Sequence, residues 1–133
     1  MMKKNEILAC LKANQKIDAF ELSIVDKDSR ELFYVLDHLE INRAVKVQTI
    51  QIKVYVSDKK GTGSSTVVVT AADDARSLAA KLSKALSKAK AAKNPYYPLT
   101  EKTENLKDVN SDRKDLNEIA TKAAKAVFKA DVY

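Results

Sequence analysis

Residues 47–56, VQTIQIKVYV, decide the fold class. Ile50, Ile52, Val54 and Val56 fall on one side of a two-residue period, and Thr49, Gln51, Lys53 and Tyr55 fall on the other. That is the pattern of a strand with one face in a core and the other in water. Residues 57–63, SDKKGTG, hold both glycines of the chain and read as a turn. Residues 64–70, SSTVVVT, then read as a returning strand, so the two runs form an antiparallel hairpin. The period next changes to that of a helix over 72–93. Leu78, Leu82, Ala85, Leu86 and Ala89 share one face, and Lys81, Lys84 and Lys88 share another. Thr70 and Asp73 stand at capping-box spacing at its start. The Ile50/Ile52/Val54/Val56 face is expected to pack on the Leu78/Leu82/Leu86 side of this helix.

Upstream, residues 3–15, KKNEILACLKANQ, predict a short helix with a narrow stripe of Ile7, Leu8 and Leu11. Phe20, Leu22 and Ile24 alternate with polar residues as a strand. Asp26 to Ser29 is a polar cluster expected to turn the chain, Arg30 to Leu36 is a second strand, and Asp37 to Ala44 is its irregular continuation. Downstream, Asn94-Pro95 ends the long helix, because the residue before proline avoids the helical region. Residues 94–111 then read as a polar connector. A last helix is expected over 112–129, with Leu116, Ile119, Ala120, Ala123 and Val127 on one face. Strands in succession followed by helices predict an α+β domain over residues 1–133: an antiparallel sheet of about four strands against two or three helices.

The whole chain has 133 residues and 14.7 kDa, enough for one core without disulfide staples. A single cysteine, Cys10, excludes an internal disulfide and fits a reducing cytoplasm. No apolar run approaches the ~18 residues of a membrane span, and the Met-Met-Lys-Lys start leads into a polar-interrupted segment unlike a signal peptide. The net charge of +6 invites a nucleic-acid reading. The cations are 20 Lys and 4 Arg with no Trp among them, a composition typical of a solvated surface rather than a base-reading one.

Chemistry-bearing residues are sparse. Zinc sites draw three or four ligands from His, Cys and carboxylates, and this chain offers one His, His38, and one Cys, Cys10. His38 reads as a strand-face residue. Cys10 sits on a helix without a sequence-adjacent base to lower its pKa. Gly61-Thr62-Gly63-Ser64-Ser65 looks like half a phosphate loop, but it lacks the Lys of that motif and leads into a strand instead of a helix. Asp73 and Asp74 read as carboxylates complementing a helix N-terminus. No catalytic, cofactor-binding or metal-binding residue is assigned. A stand-alone interaction or weak nucleic-acid-binding module using the Lys-rich helix is one reading of such a chain.

The stretch Ser29 to Thr100 resembles the N-terminal domain of the TldD/PmbA family, first described as modulators of DNA gyrase and regarded as zinc metallopeptidases. Ser29-Arg30-Glu31-Leu32-Phe33-Tyr34-Val35 resembles the family's early strand, and LEINR at 39–43 a Leu-Asp-Met-Asn-Arg-like run. IKVY at 52–55 and GSST at 63–66 resemble the hairpin that follows. The Ala-rich helix and Asn94-Pro95-Tyr96-Tyr97-Pro98-Leu99 resemble an Asn-Pro-Tyr-Tyr-x-Leu connector. The resemblance covers a little over half of the chain. It implies the N-terminal segment of a longer cytoplasmic peptidase that works as a dimer, with itself or a paralogous subunit, on unfolded or small peptides. The family's zinc motif, HExxxH, and its Cys ligand lie downstream of this region. Neither is present here, so zinc is implied for the full-length family and none for this chain. The implied role is non-catalytic: dimer assembly and walling of the peptide chamber.

Overall fold

The computed structural model describes residues 1–36, 38–95, 97–99 and 115–129, with the side chains of the last segment described through residue 126. The elements are α1 (Lys4–Ala13), β1 (Ala19–Val35), β2 (His38–Asp58), β3 (Gly61–Val69), α2 (Ala75–Ala91) and α3 (Leu116–Lys129). The strands form one antiparallel sheet in the order β1-β2-β3, so the α+β class holds.

Three strands stand where about four were expected. The chain runs straight through Asp26–Ser29, and the irregular stretch at Asp37–Ala44 is, from His38 on, regular β2. The polar residues read as a turn are cross-strand partners instead. Asp28 pairs with Lys46 at 3.7 Å, and Ser29 Oγ donates to the Val45 carbonyl at 3.4 Å. Charge on an exposed edge strand blunts unwanted pairing, and its composition is the same as that of a turn. β1 ends at Val35, and Leu36 after it adopts φ +55°.

The chain divides into two compact units. The first takes Met1–Val25 with β2 from Gln48 onward, β3 and α2. Its sheet face is the expected one, with Ile50 paired with Val69 and Ile52 with Val67. These residues and Val54 and Val56 share one buried cluster with Leu78, Leu82, Ala85, Leu86 and Ala89 of α2. Ile7 and Leu11 of α1 join the same cluster, while Cys10 packs half-buried beside it. A ten-residue helix is marginal alone. Two fully buried aliphatic side chains, each worth about 1.5–3 kcal/mol, hold it in place.

Helix α2 starts one turn later than the Thr70/Asp73 spacing suggested. Asp74 is the cap: the Ser77 N–H donates to its carboxylate at 2.8 Å, and the Asp74 N–H donates to Ser77 Oγ at 2.9 Å. Past its C-terminus, Asn94 exchanges two backbone hydrogen bonds of 3.0 Å with Thr62, so the start of the connector closes against β3.

The second unit takes Asp26–Val47 and α3. Asp115 caps α3, its carboxylate accepting the Asn117 N–H at 2.9 Å. Asp112 to Arg113, where the last helix was expected to begin, lie outside the described residues, as does most of the connector. The apolar face expected of this helix is on α3 and is largely uncovered. Leu116, Ile119 and Ala123 are exposed, Ala120 and Ala124 are half-buried, and Val127 lies beyond the described side chains. Amphipathic spacing marks which face is apolar without saying whether anything covers it.

Candidate interaction surface

Each residue weighed for chemistry has a structural placement. Cys10 is on α1 in the first unit, and His38 opens β2 in the second. Among the described residues, no group of three or more His, Cys, Asp or Glu is placed to hold a metal. The described residues do not fit a zinc ion. No described helix is long and apolar enough to cross a membrane.

The turn expected over 57–63 is shorter: only Lys59 and Lys60 turn, and Gly61 to Gly63 open β3, paired with Asp58 to Val56. A Cβ on Gly63 would overlap the Ala89 carbonyl of α2, and one on Gly61, at φ +146°, would overlap the Asn94 carbonyl. The start of β3 is therefore closed over by backbone, and Thr62 between the glycines is fully buried. This is why the glycines sit there, and it leaves no cradle for a phosphate.

Asp73 does not cap the helix. Its carboxylate accepts from the Thr70 N–H at 2.7 Å and the Thr70 hydroxyl at 2.9 Å, and pairs with Lys81. Lys81 also donates to the Val68 carbonyl at 3.1 Å, while Lys84 and Lys88 lie exposed as expected. The Lys81 ammonium, with the Thr70 and Ser77 donors, holds the Asp73 carboxyl well below the usual carboxylate range. A depressed folded-state pKa adds stability that is complete above the unfolded value of about 4 and is lost as pH falls below it. Thermal melts from neutral pH downward should therefore show a declining acid limb below about pH 4. Asp73→Asn should lower the neutral-pH melting temperature and flatten that limb. An unchanged limb would remove Asp73 from the account.

Tyr55 is buried on the side of β2 opposite the core, and its hydroxyl donates to Glu21 at 2.6 Å. That carboxylate, with burial, raises the phenol's pKa, and Lys53 lies over the ring at 5.1 Å.

What the sequence reading missed is in the second unit. On the hairpin, Arg43 Nε donates to Glu31 at 2.7 Å, and this pair marks one side of the two strands. By strand alternation Phe33 and Val35 of β1 and Ile41 and Val47 of β2 lie on the same side. They are 52%, 56%, 51% and 47% exposed, with Leu36 at the tip 80% exposed. Ser29 to Leu36 carries apolar residues without alternation, in LFYVL at 32–36. That is the signature of a strand covered on both faces. Here α3 borders the Arg30/Leu32/Tyr34 side and leaves the Phe33 side open.

The largest apolar patch on a monomer typically covers about 300–600 Å² and is often functional. By the same alternation the charged residues on this face are Lys27, Glu31 and Arg43, the last two paired with each other. Comparison of the chain with family models, with curated proteins and with solved structures finds no match to any of them.

Proposed function

We propose that this chain is a non-catalytic assembly domain, the N-terminal domain of a TldD/PmbA-like cytoplasmic protein. In that role it serves dimer formation and walls a peptide chamber whose zinc chemistry lies elsewhere in the full-length protein. The observation that carries the assembly role is the open Phe33/Val35/Ile41/Val47 face of the hairpin. The family assignment is supported by the ordered sequence pieces from Ser29 to Leu99.

A second copy of the chain is the partner that fits. The chain carries +6 overall, so copies repel through most of their surface. On this face Glu31 and Arg43 cancel, leaving Lys27 as the remaining charge, so like-charge repulsion between copies is small there. A standard interface buries about 800 Å² per partner, a little over half of it apolar, and an open apolar hairpin face is the kind of surface that supplies it.

Amide spectra of the chain recorded as its concentration rises through the micromolar range test the reading. Resonances of Phe33, Val35, Ile41 and Val47 are expected to shift or broaden, while those of α2 stay fixed. Uniform behaviour across both sets would contradict it.

A further inference from the structure

The opposite side of the same strands carries a different feature. Arg30, Leu32 and Tyr34 alternate with the outer-face residues and line a groove of about 410 Å³ with α3. That volume is in the range of small-molecule sites, roughly 300–1,000 Å³. Its floor is apolar: Leu32 and Leu39 from the hairpin, and Ala120 and Ala124 from the helix. Two small residues one turn apart let the helix lie close while the longer side chains at the rim stand apart.

The rim is cationic, with Arg30 from β1 and Lys125 from α3, and among the described residues no carboxylate lines the groove. The unit is not short of acids. Asp28, Glu31 and Glu118 are each paired, with Lys46, Arg43 and Lys122; the Asp115 carboxylate accepts from the Asn117 N–H; and Glu40 of β2 is exposed and is not among the groove's described lining. Those pairings leave Arg30 and Lys125 as cations of one groove without a carboxylate partner among the described residues. The carboxamides of Asn42 and Asn117 stand with them. Two like charges and two amide groups around an apolar floor form an electrostatic complement to an anion with an apolar body. The planar fork of Arg30 suits a carboxylate, which it can meet with two parallel hydrogen bonds.

We propose that the groove between α3 and the hairpin binds an organic carboxylate carrying an apolar group, its carboxylate held by Arg30 and Lys125. The ligand is either a free organic acid or the C-terminus of a peptide. The inference goes beyond the assembly reading and does not depend on it, since it rests on Arg30, Lys125 and α3 rather than on the Phe33/Val35/Ile41/Val47 face.

The test is a titration of the whole chain, followed by amide chemical shifts, with three probes: phenylbutyrate, its neutral amide, and N-acetyl-leucyl-phenylalanine. The acids are expected to move resonances of Arg30, Asn42, Asn117 and Lys125, and the amide to bind about tenfold or more weakly. Arg30→Gln and Lys125→Gln, both at exposed positions, should each weaken the acids about fivefold without changing affinity for the amide. Preference for the peptide acid would assign peptide C-termini, and equal binding would assign carboxylates generally; both support the site. Equal affinity for acid and amide, shifts that map elsewhere, or no shift at millimolar probe overturns it.

Discussion

Val54→Asp should unfold the first unit at temperatures where the parent is folded, a loss of about 4 kcal/mol or more. Val54 is fully buried, paired across the sheet with Ser65 and set in the same cluster as the apolar face of α2. A carboxylate there has no donor to meet it. A domain holds only about 5–15 kcal/mol in reserve, so the loss is a large share of the whole. The neighbouring Lys53→Asp is the control. Lys53 points to the other face and stands over the Tyr55 ring at 5.1 Å. Such a contact is worth about 0.5–1 kcal/mol when exposed, and the substitution should cost no more than about that. Equal destabilisation by the two substitutions in thermal melts would mean that the register of β2 is wrong.

Gly63→Ala is the second large effect. One methyl group is added, and it has nowhere to go. The position it would take is held by the Ala89 carbonyl, which is helix backbone and not a side chain that can swing aside. Either α2 lifts from β3 or the strand shifts, and each opens the cluster around Leu82, Leu86 and Ala89. Overpacking against backbone is expected to cost about 3 kcal/mol. Ser64→Ala, one residue on, should stay within about 0.5 kcal/mol. Denaturant unfolding of the pair measures the difference. A Gly63→Ala midpoint equal to that of Ser64→Ala would show that α2 does not close over the start of β3.

The parts of the fold that were legible in the sequence are those with a strict period and a single covered face. Ile50, Ile52, Val54 and Val56 alternate without exception, and Leu78, Leu82, Ala85, Leu86 and Ala89 keep helical spacing; all are buried together. The polar run Asp26–Ser29 was misread because a solvated edge strand and a turn draw on the same residues. Its cross-strand partners, Lys46 and the Val45 carbonyl, lie far along the chain. The candidate surface was half legible. LFYVL at 32–36 has no alternation, which announces two faces wanting cover. Which of them α3 would line depends on tertiary placement, and period alone carries no information about that. The same holds for α3, where Ala120 and Ala124 are half-buried while Leu116 and Ile119 stay outside.

Sedimentation equilibrium of the chain and of a Phe33→Asp/Ile41→Asp double variant tests the assembly role most directly. Both side chains are about half exposed, at 52% and 51%, so the substitutions spare the core and the variant should melt with the parent. The account predicts that the parent's mass rises from 14.7 kDa toward twice that value as concentration increases, while the double variant remains at 14.7 kDa. A parent that stays at the single-chain mass throughout, or a variant that associates as well as the parent, would contradict it.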